Sequence, residues 1–492
     1  MTVSVQIDPA AFFPMPTPLG TPQRGFGLSM LQMSNPAPTA GPPPIPFALR
    51  DWNIVCVGSS LTKGAYTTYT TPFQIDTQLN AGGKVATVFN GGHNSFAVGY
   101  PNMTGTLQSL IAAEVDANYN PAPDVANILE VEGFVNDLWY GATGAQCFQI
   151  LKDYLDAVAV RWDCVIVVLP TKRTDPGTPL GYEAERLAFI ALLARDPTVG
   201  GRVDQIVHLG DDPRLADTTD AFWFRVDQVH YQDYTNAIWA SMAIRAIRTQ
   251  FGGPSYTPIW APWPDPFLNA TSGCLNGTGN PCSDGEAIAT WQPSFAWTTG
   301  DFVQAIAGDR PLYSAAGFGG APCAVADGTK ELVSSNLCLN ETRYTFMGKV
   351  DATNVGIINS GMLFSQAGNA DVRMYICENP ATIAVYDFVN SLFQGSIKYV
   401  NVPGQITGGP HVVMTQCDGT DAGHIMLCDA ATITLTTFPP YNNDPAHVND
   451  TAARHFLGTG GNGLVGKCAM FFATPIPLNE DEYTELYNYF AA

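Results

Sequence analysis

The chain has 492 residues, enough at roughly 100–200 residues per domain for two or three domains with substantial cores. Lys+Arg 23 against Asp+Glu 44 leaves a formal net charge of −21. A field of that sign repels phosphate backbones and anionic lipid, so nucleic-acid and membrane-surface partners are excluded as first readings. With 46% hydrophobic residues the chain is not disordered wholesale, and 47 Gly with 37 Pro make it rich in turns.

Residues 1–50 are punctuated by proline and end in NPAPTAGPPPIPF. Proline lacks the amide donor and restricts the residue before it, so this extension should be extended or polyproline-like. It reads either as a stiff tether or as an anchor. Phe26, Leu28, Met30, Leu31 and Met33 would supply the docking contacts of an anchor. The first residues have neither a basic n-region nor a continuous apolar h-region, so they do not read as a Sec signal peptide. The expected location is therefore a virion surface, or the cell exterior reached by another route.

Residues 51–250 alternate between strand-like and helix-like patterns. Apolar runs at Asn53–Val57, Val85–Phe89, Val125–Val131, Cys164–Leu169 and Gln205–Leu209 read as buried parallel strands. Amphipathic stretches lie between them, among them LQSLIAAEVDANY and EAERLAFIALLAR. The pattern predicts an α/β fold with a doubly wound parallel sheet, whose binding crevice lies just beyond the strands' carboxyl ends.

Residues 251–290 read as a linker, and residues 291–492 as a third segment of short strands separated by Gly, Asn, Asp and Pro. Regular short strands with turn signals predict an all-β jelly-roll sandwich. A final helix is expected after Asn479, which caps it while Glu482 reaches back and Leu478 meets Tyr483. Eight of the 11 cysteines follow residue 270, and Cys274/Cys282 and Cys323/Cys338 are near enough in sequence to pair. No CxxC occurs, so a zinc site has no positive signal.

Three short pieces carry chemistry. Strand Asn53–Val57 runs into Gly58-Ser59-Ser60-Leu61, and a serine on a tight turn past a parallel strand can serve as a nucleophile or simply cap a helix. Strand Val125–Val131 runs into Glu132-Gly133-Phe134-Val135-Asn136-Asp137, where Asn136 can donate its amide to an oxyanion or close an Asx turn. Asp227 lies three residues before His230, a spacing that lets the carboxylate hold Nδ1 and leaves Nε2 for a nucleophile. Each piece alone is commonplace. Together they follow strands one, three and five of the same sheet, and so converge on one rim.

In that order they resemble the SGNH (GDSL-type) hydrolases. Gly58-Ser59-Ser60-Leu61 stands for GDSL with serine in place of aspartate, Gly133 to Asp137 for the GxND block, and Asp227/His230 for DxxH. The family's second block carries a glycine after strand two. Here Asn90-Gly91-Gly92-His93-Asn94-Ser95 puts Ser95 at that position, with Gly92 as the alternative. The resemblance implies a three-layer fold without cofactor or metal, a catalytic set of Ser60, His230 and Asp227, and an oxyanion hole from Ser60, Ser95 and Asn136. Asp137 and His93 are expected to be structural. In the last segment, Arg310-Pro311-Leu312-Tyr313, Gly317-Phe318-Gly319-Gly320 and Ala326-Asp327-Gly328 resemble concanavalin A-like (laminin-G-like) jelly rolls of phage tail and virion proteins. Trp291, Trp297 and Tyr313 could stack on sugars there, although core packing is the commoner fate of such residues.

The expected function is a serine esterase that removes O-acetyl groups from surface polysaccharide, carried on a phage virion. The expected partners are an acylated polysaccharide or other ester substrate and a virion partner reached through the N-terminal extension. A homo-oligomer is compatible with the sequence. Its rivals are a non-catalytic glycan-binding or structural virion protein on a hydrolase scaffold, and a bacterial lipase or thioesterase of the same family.

Overall fold

In the computed structural model the described residues are 50–81, 84–101, 103, 105–251, 267–294, 300–334, 343–352, separate strands between 362 and 457, and 464–491. The proline-rich extension, the stretch 252–266, Trp297 and Cys338 lie outside them.

The first body is built on five parallel strands, β1 (Asp51–Gly58), β2 (Ala86–Gly92), β3 (Val125–Val131), β4 (Cys164–Val168) and β5 (Gln205–Val207), in the order β2-β1-β3-β4-β5. Strand direction therefore reverses its march between β1 and β3, and a crevice opens at their carboxyl ends. Every residue of β4, and all but the first of β1 and β3, is buried, which is why these runs are mostly apolar instead of alternating. The edge strands β2 and β5, expected to be buried as well, are mostly only half-buried or exposed because each has a neighbour on one side only.

Helices cover both faces. Ile54, Cys56 and Ile128 pack with α2 (Thr71–Ala81) and α6 (Asp233–Phe251) on one side. Val55, Val57, Leu129 and Val131 pack with α3 (Phe134–Trp139), α4 (Gly144–Ala157) and α5 (Tyr182–Arg195) on the other. Thr143 and Gln146 form a capping box that starts α4. The stretch expected to form an amphipathic helix over 107–119 is instead a succession of short tight and wide turns between Leu107 and Asn118. The Asn118 amide donates to the Glu114 carbonyl at 2.7 Å, a local bond of the kind that competes with regular helix.

The second body contains two antiparallel sheets that share a core of Leu268, Trp291, Phe302, Phe346, Phe456 and Phe471. Trp291 is fully buried against Phe456 and Tyr313 is partly buried on the same core, so Trp291 is packing rather than a sugar platform. Residues read as linker belong to this body: Phe267–Asn269 pairs with Val465–Thr474, and Cys274–Leu275 pairs with Thr290–Trp291. Burial of Phe267, Leu268 and Cys274 draws the chain into the sheets well before residue 290. Cys274 and Cys282 are both free thiols. The chain closes with α7 (Glu480–Ala491), capped by reciprocal bonds between Asn479 and Glu482.

The two bodies share one apolar interior. Met347, Val412, Met414, Phe472, Leu486 and Phe490 lie in the same cluster as Ile238, Trp239 and Ile244 of α6. Beside it, the guanidinium of Arg214 donates to Asp212 at 2.7 Å, to Glu482 at 2.8 Å and to the Pro477 carbonyl at 2.9 Å. Asp212 and Glu482 are buried, so each charge depends on the others for solvation. Replacing Arg214 with alanine leaves two buried carboxylates unpaired. The expected loss is about 3–5 kcal/mol in urea unfolding, and an Arg214→Ala protein as stable as wild type would show that the bodies do not depend on this cluster.

Candidate active site

The nucleophile turn begins where β1 meets α1 (Ser60–Lys63). Gly58 sits so close to its neighbours that a Cβ would fall 1.9 Å from Thr62 Oγ1 and 2.6 Å from Glu132 Oε2. Ser59 caps α1 by accepting from the Leu61 N–H at 3.2 Å. Its own N–H and hydroxyl both donate to Glu132 Oε2 at 2.9 Å, and the Thr62 hydroxyl donates to the same oxygen at 3.0 Å. Ser60 is thus left partly exposed between the buried side chains of Ser59, Leu61 and Thr62.

Ser60 Oγ lies 3.0 Å from His230 Nε2, and His230 Nδ1 lies 2.7 Å from Asp227 Oδ2. The second Asp227 oxygen accepts the Val229 and His230 N–H groups at 3.0 and 2.9 Å. Partial burial pushes the Asp227 carboxyl up, but the bonds from the His230 N–H and ring and from the Val229 N–H outweigh it. The carboxyl therefore sits below the usual carboxylate range. An ionised Asp227 fixes the tautomer with the proton on Nδ1 and leaves Nε2 to accept from the serine. Gln228 takes a left-handed backbone (φ 60°) to close the Asp-Gln-Val-His turn.

The oxyanion candidates divide. Asn136 donates one amide N–H to the Phe96 carbonyl at 2.7 Å, and the group carries a second N–H. The Gly92 N–H is spent on Asn90 Oδ1 at 3.0 Å, and a Cβ there would strike the Lys63 backbone at 2.1 Å. Gly92 is therefore a packing glycine against α1, which leaves Ser95 as the second-block candidate. Ser95 has φ 64°, the left-handed region that favours glycine, where the resembling family carries one.

Asp137 is buried and accepts the N–H groups of Val98, Gly99 and Tyr100 at 2.8, 3.2 and 2.9 Å, holding the loop after the second block. His93 binds Glu114 at 2.8 Å and stacks on Phe96, apart from the relay. Among the described residues no group of three or more His, Cys, Asp or Glu is placed to hold a metal ion.

Sequence reasoning passed over Glu130 and Glu132. Two acids two residues apart, one within an apolar strand and one just past its end, was the available signal, because both are buried. Burial pushes the Glu132 carboxyl up, while bonds from Ser59 and Thr62 pull it back. Burial and the nearby Glu132 push Glu130 up to about 8.

No protein-family model matches the chain, and no curated protein is detectably similar to it in sequence. Solved structures are similar over about 40% of the chain. A lipolytic protein of the G-D-S-L family from Veillonella parvula is 17% identical, over 39% of this chain and 97% of that one, with a TM-score of 0.32. A lipase/acylhydrolase from Enterococcus faecalis is 18% identical, over 40% and 96%, with a TM-score of 0.31. Est24, a carbohydrate acetylesterase from Sinorhizobium meliloti, is 16% identical, over 40% and 97%, with a TM-score of 0.29. Likenesses this distant leave the functional reading to the site's own geometry.

The raised Glu130 carboxyl has a consequence for stability. The folded state holds its proton up to about pH 8, whereas an unfolded glutamate releases it near 4.5, so stability is full at low pH and declines between these values. Glu130→Gln removes that titration. Its melting temperature should gain on wild type as pH rises from about 5 to 8; parallel pH profiles would refute a raised carboxyl at this position.

Proposed function

We propose that the chain is a serine esterase. The observation that carries this reading is the unbroken relay from Ser60 through His230 to Asp227, at 3.0 and 2.7 Å. Ser60 Oγ attacks the ester carbonyl carbon as its proton passes to His230 Nε2, and Asp227 stabilises the imidazolium. Negative charge gathers on the former carbonyl oxygen, which the Ser60 and Ser95 N–H groups and the Asn136 amide are assigned to receive. When the tetrahedral intermediate collapses, the bond to the leaving oxygen breaks and His230 returns the proton to it. An acyl group remains on Ser60. Water then attacks the acyl carbonyl, His230 takes its proton, and Ser60 recovers the same proton as the acid departs.

The finer reading is an O-acetyl esterase acting on surface polysaccharide and carried on a virion. A proline-rich segment precedes the catalytic body, and a large antiparallel β body, read as a lectin-like jelly roll, shares its core. Both features suit delivery of the esterase to an immobile glycan.

The test is labelling of the intact protein with a fluorophosphonate, mapped by mass spectrometry, beside acetate release from small acetyl esters. Ser60 should be the labelled residue, and Ser60→Ala should release no acetate above background. Removing one oxyanion donor lowers kcat by about 10²–10³, so Asn136→Ala should show a loss of that size with its fold intact by circular dichroism. Wild-type rates in Ser60→Ala would end the esterase reading and favour a binding protein on this scaffold.

A further inference from the structure

Tyr66 takes no part in the relay, yet it is built onto it. The residue has φ 70°, a left-handed backbone that costs a bulky side chain on the order of 1–3 kcal/mol and persists where surrounding contacts impose it. The residue is 70% exposed, although tyrosine normally buries its apolar face. The exposed ring stands edge-on to the His230 imidazole, with centroids 5.2 Å apart and planes at 82°.

Arg225 holds it there. The guanidinium donates to the Tyr66 carbonyl at 2.7 Å and lies 5.8 Å from the ring centroid. The Arg225 N–H donates to the His230 carbonyl at 2.8 Å, so the same residue fixes both the ring and the imidazole it touches. A rigid, solvent-facing aromatic surface beside the catalytic base is maintained against its own backbone cost.

We propose that Tyr66 is the stacking platform for the sugar ring that carries the scissile ester, with Arg225 as its positioning residue. This rests on the esterase reading and names the substrate class of that site. Acyl chains are gripped by enclosed apolar walls, whereas pyranoses lay their C–H face on an open aromatic ring and hydrogen-bond around its edge. The surroundings of Tyr66 are of the second kind. The Arg225 guanidinium lies over part of the ring, which is otherwise open to solvent, and brings N–H donors beside it.

The test compares glucose pentaacetate, which offers a pyranose, with ethyl acetate, which offers neither a sugar nor an aromatic group. Acetate release is followed by pH-stat for wild type, Tyr66→Ala and Tyr66→Trp. Tyr66→Ala should lower the ratio of kcat/KM for glucose pentaacetate over ethyl acetate at least tenfold, mainly through KM. Tyr66→Trp, which keeps an aromatic face, should hold that ratio within about threefold of wild type. Equal losses on both esters, carried by kcat with a displaced pH profile, would mean that the ring only orients His230 and would overturn the platform alone. An unchanged ratio in Tyr66→Ala would overturn it too. A wild-type protein that releases acetate from neither ester overturns the esterase reading, and the platform with it.

Discussion

The contact between Ser60 Oγ and His230 Nε2 joins groups 170 residues apart, and the proposed relay depends on keeping them at 3.0 Å. Two loops at a sheet edge would not hold such a distance unaided, because loops sit at the low-stability end of a fold. Here the turn after α1 is strapped to the start of α6. Asp233 accepts the N–H groups of Thr68 and Tyr69, Asn236 donates to the Tyr69 carbonyl, and Gln74 bridges the Tyr69 and Asp233 carbonyls. Arg225 adds the tie between the Tyr66 carbonyl and the histidine loop. Ser60 and His230 thus ride on one cross-linked unit, and the precision that the proposed relay needs comes from side chain–backbone bonds outside the relay itself.

The β body extends the same logic. Arg343, on its strand Arg343–Ala352, grips Asp220 through two N–H groups at 3.1 and 2.6 Å, and its guanidinium lies over the rings of Phe222 and Trp223. Asp220 in turn accepts the N–H groups of Phe222, Trp223 and Phe224, the segment that leads into Asp227 and His230. A bidentate arginine pair of this kind fixes orientation as well as proximity. The segment leading to His230 is therefore shaped partly by a residue from the other body. With the shared apolar interior around α6, this makes the β body a structural component of the α/β half.

Much of this was legible in the sequence, for reasons that can be stated residue by residue. The central parallel strands announced themselves because strands buried on both faces are predominantly apolar. Ser60 and Asn136 stood out because each follows such a run, and Asp227 and His230 through their three-residue spacing. The start of the second body was not legible. Phe267 and Leu268 lie in a stretch crowded with proline and glycine, and their pairing partners at Phe471 and Phe472 are about 200 residues away. The irregular turns over 107–118 carry helical periodicity, but a local Asn118 bond diverts them. Tyr66 and Arg225 were invisible for a plainer reason. Their significance lies in a left-handed backbone and a contact across 159 residues, neither of which leaves a trace in local pattern.

The serine at position 59 bears on whether this site is working or decaying. In the resembling family the motif carries aspartate there, and its loss could be taken as erosion. The structure shows where a carboxylate has gone. Glu132, at the end of the neighbouring strand, reaches under the turn and accepts from the Ser59 N–H, the Ser59 hydroxyl and the Thr62 hydroxyl. Gly58 leaves room for it, since any side chain there would collide with Glu132 and Thr62. A buried acid costs stability unless it is bonded, and here three donors bond Glu132. Held under the turn at the expense of desolvation, it fixes the backbone that presents Ser60.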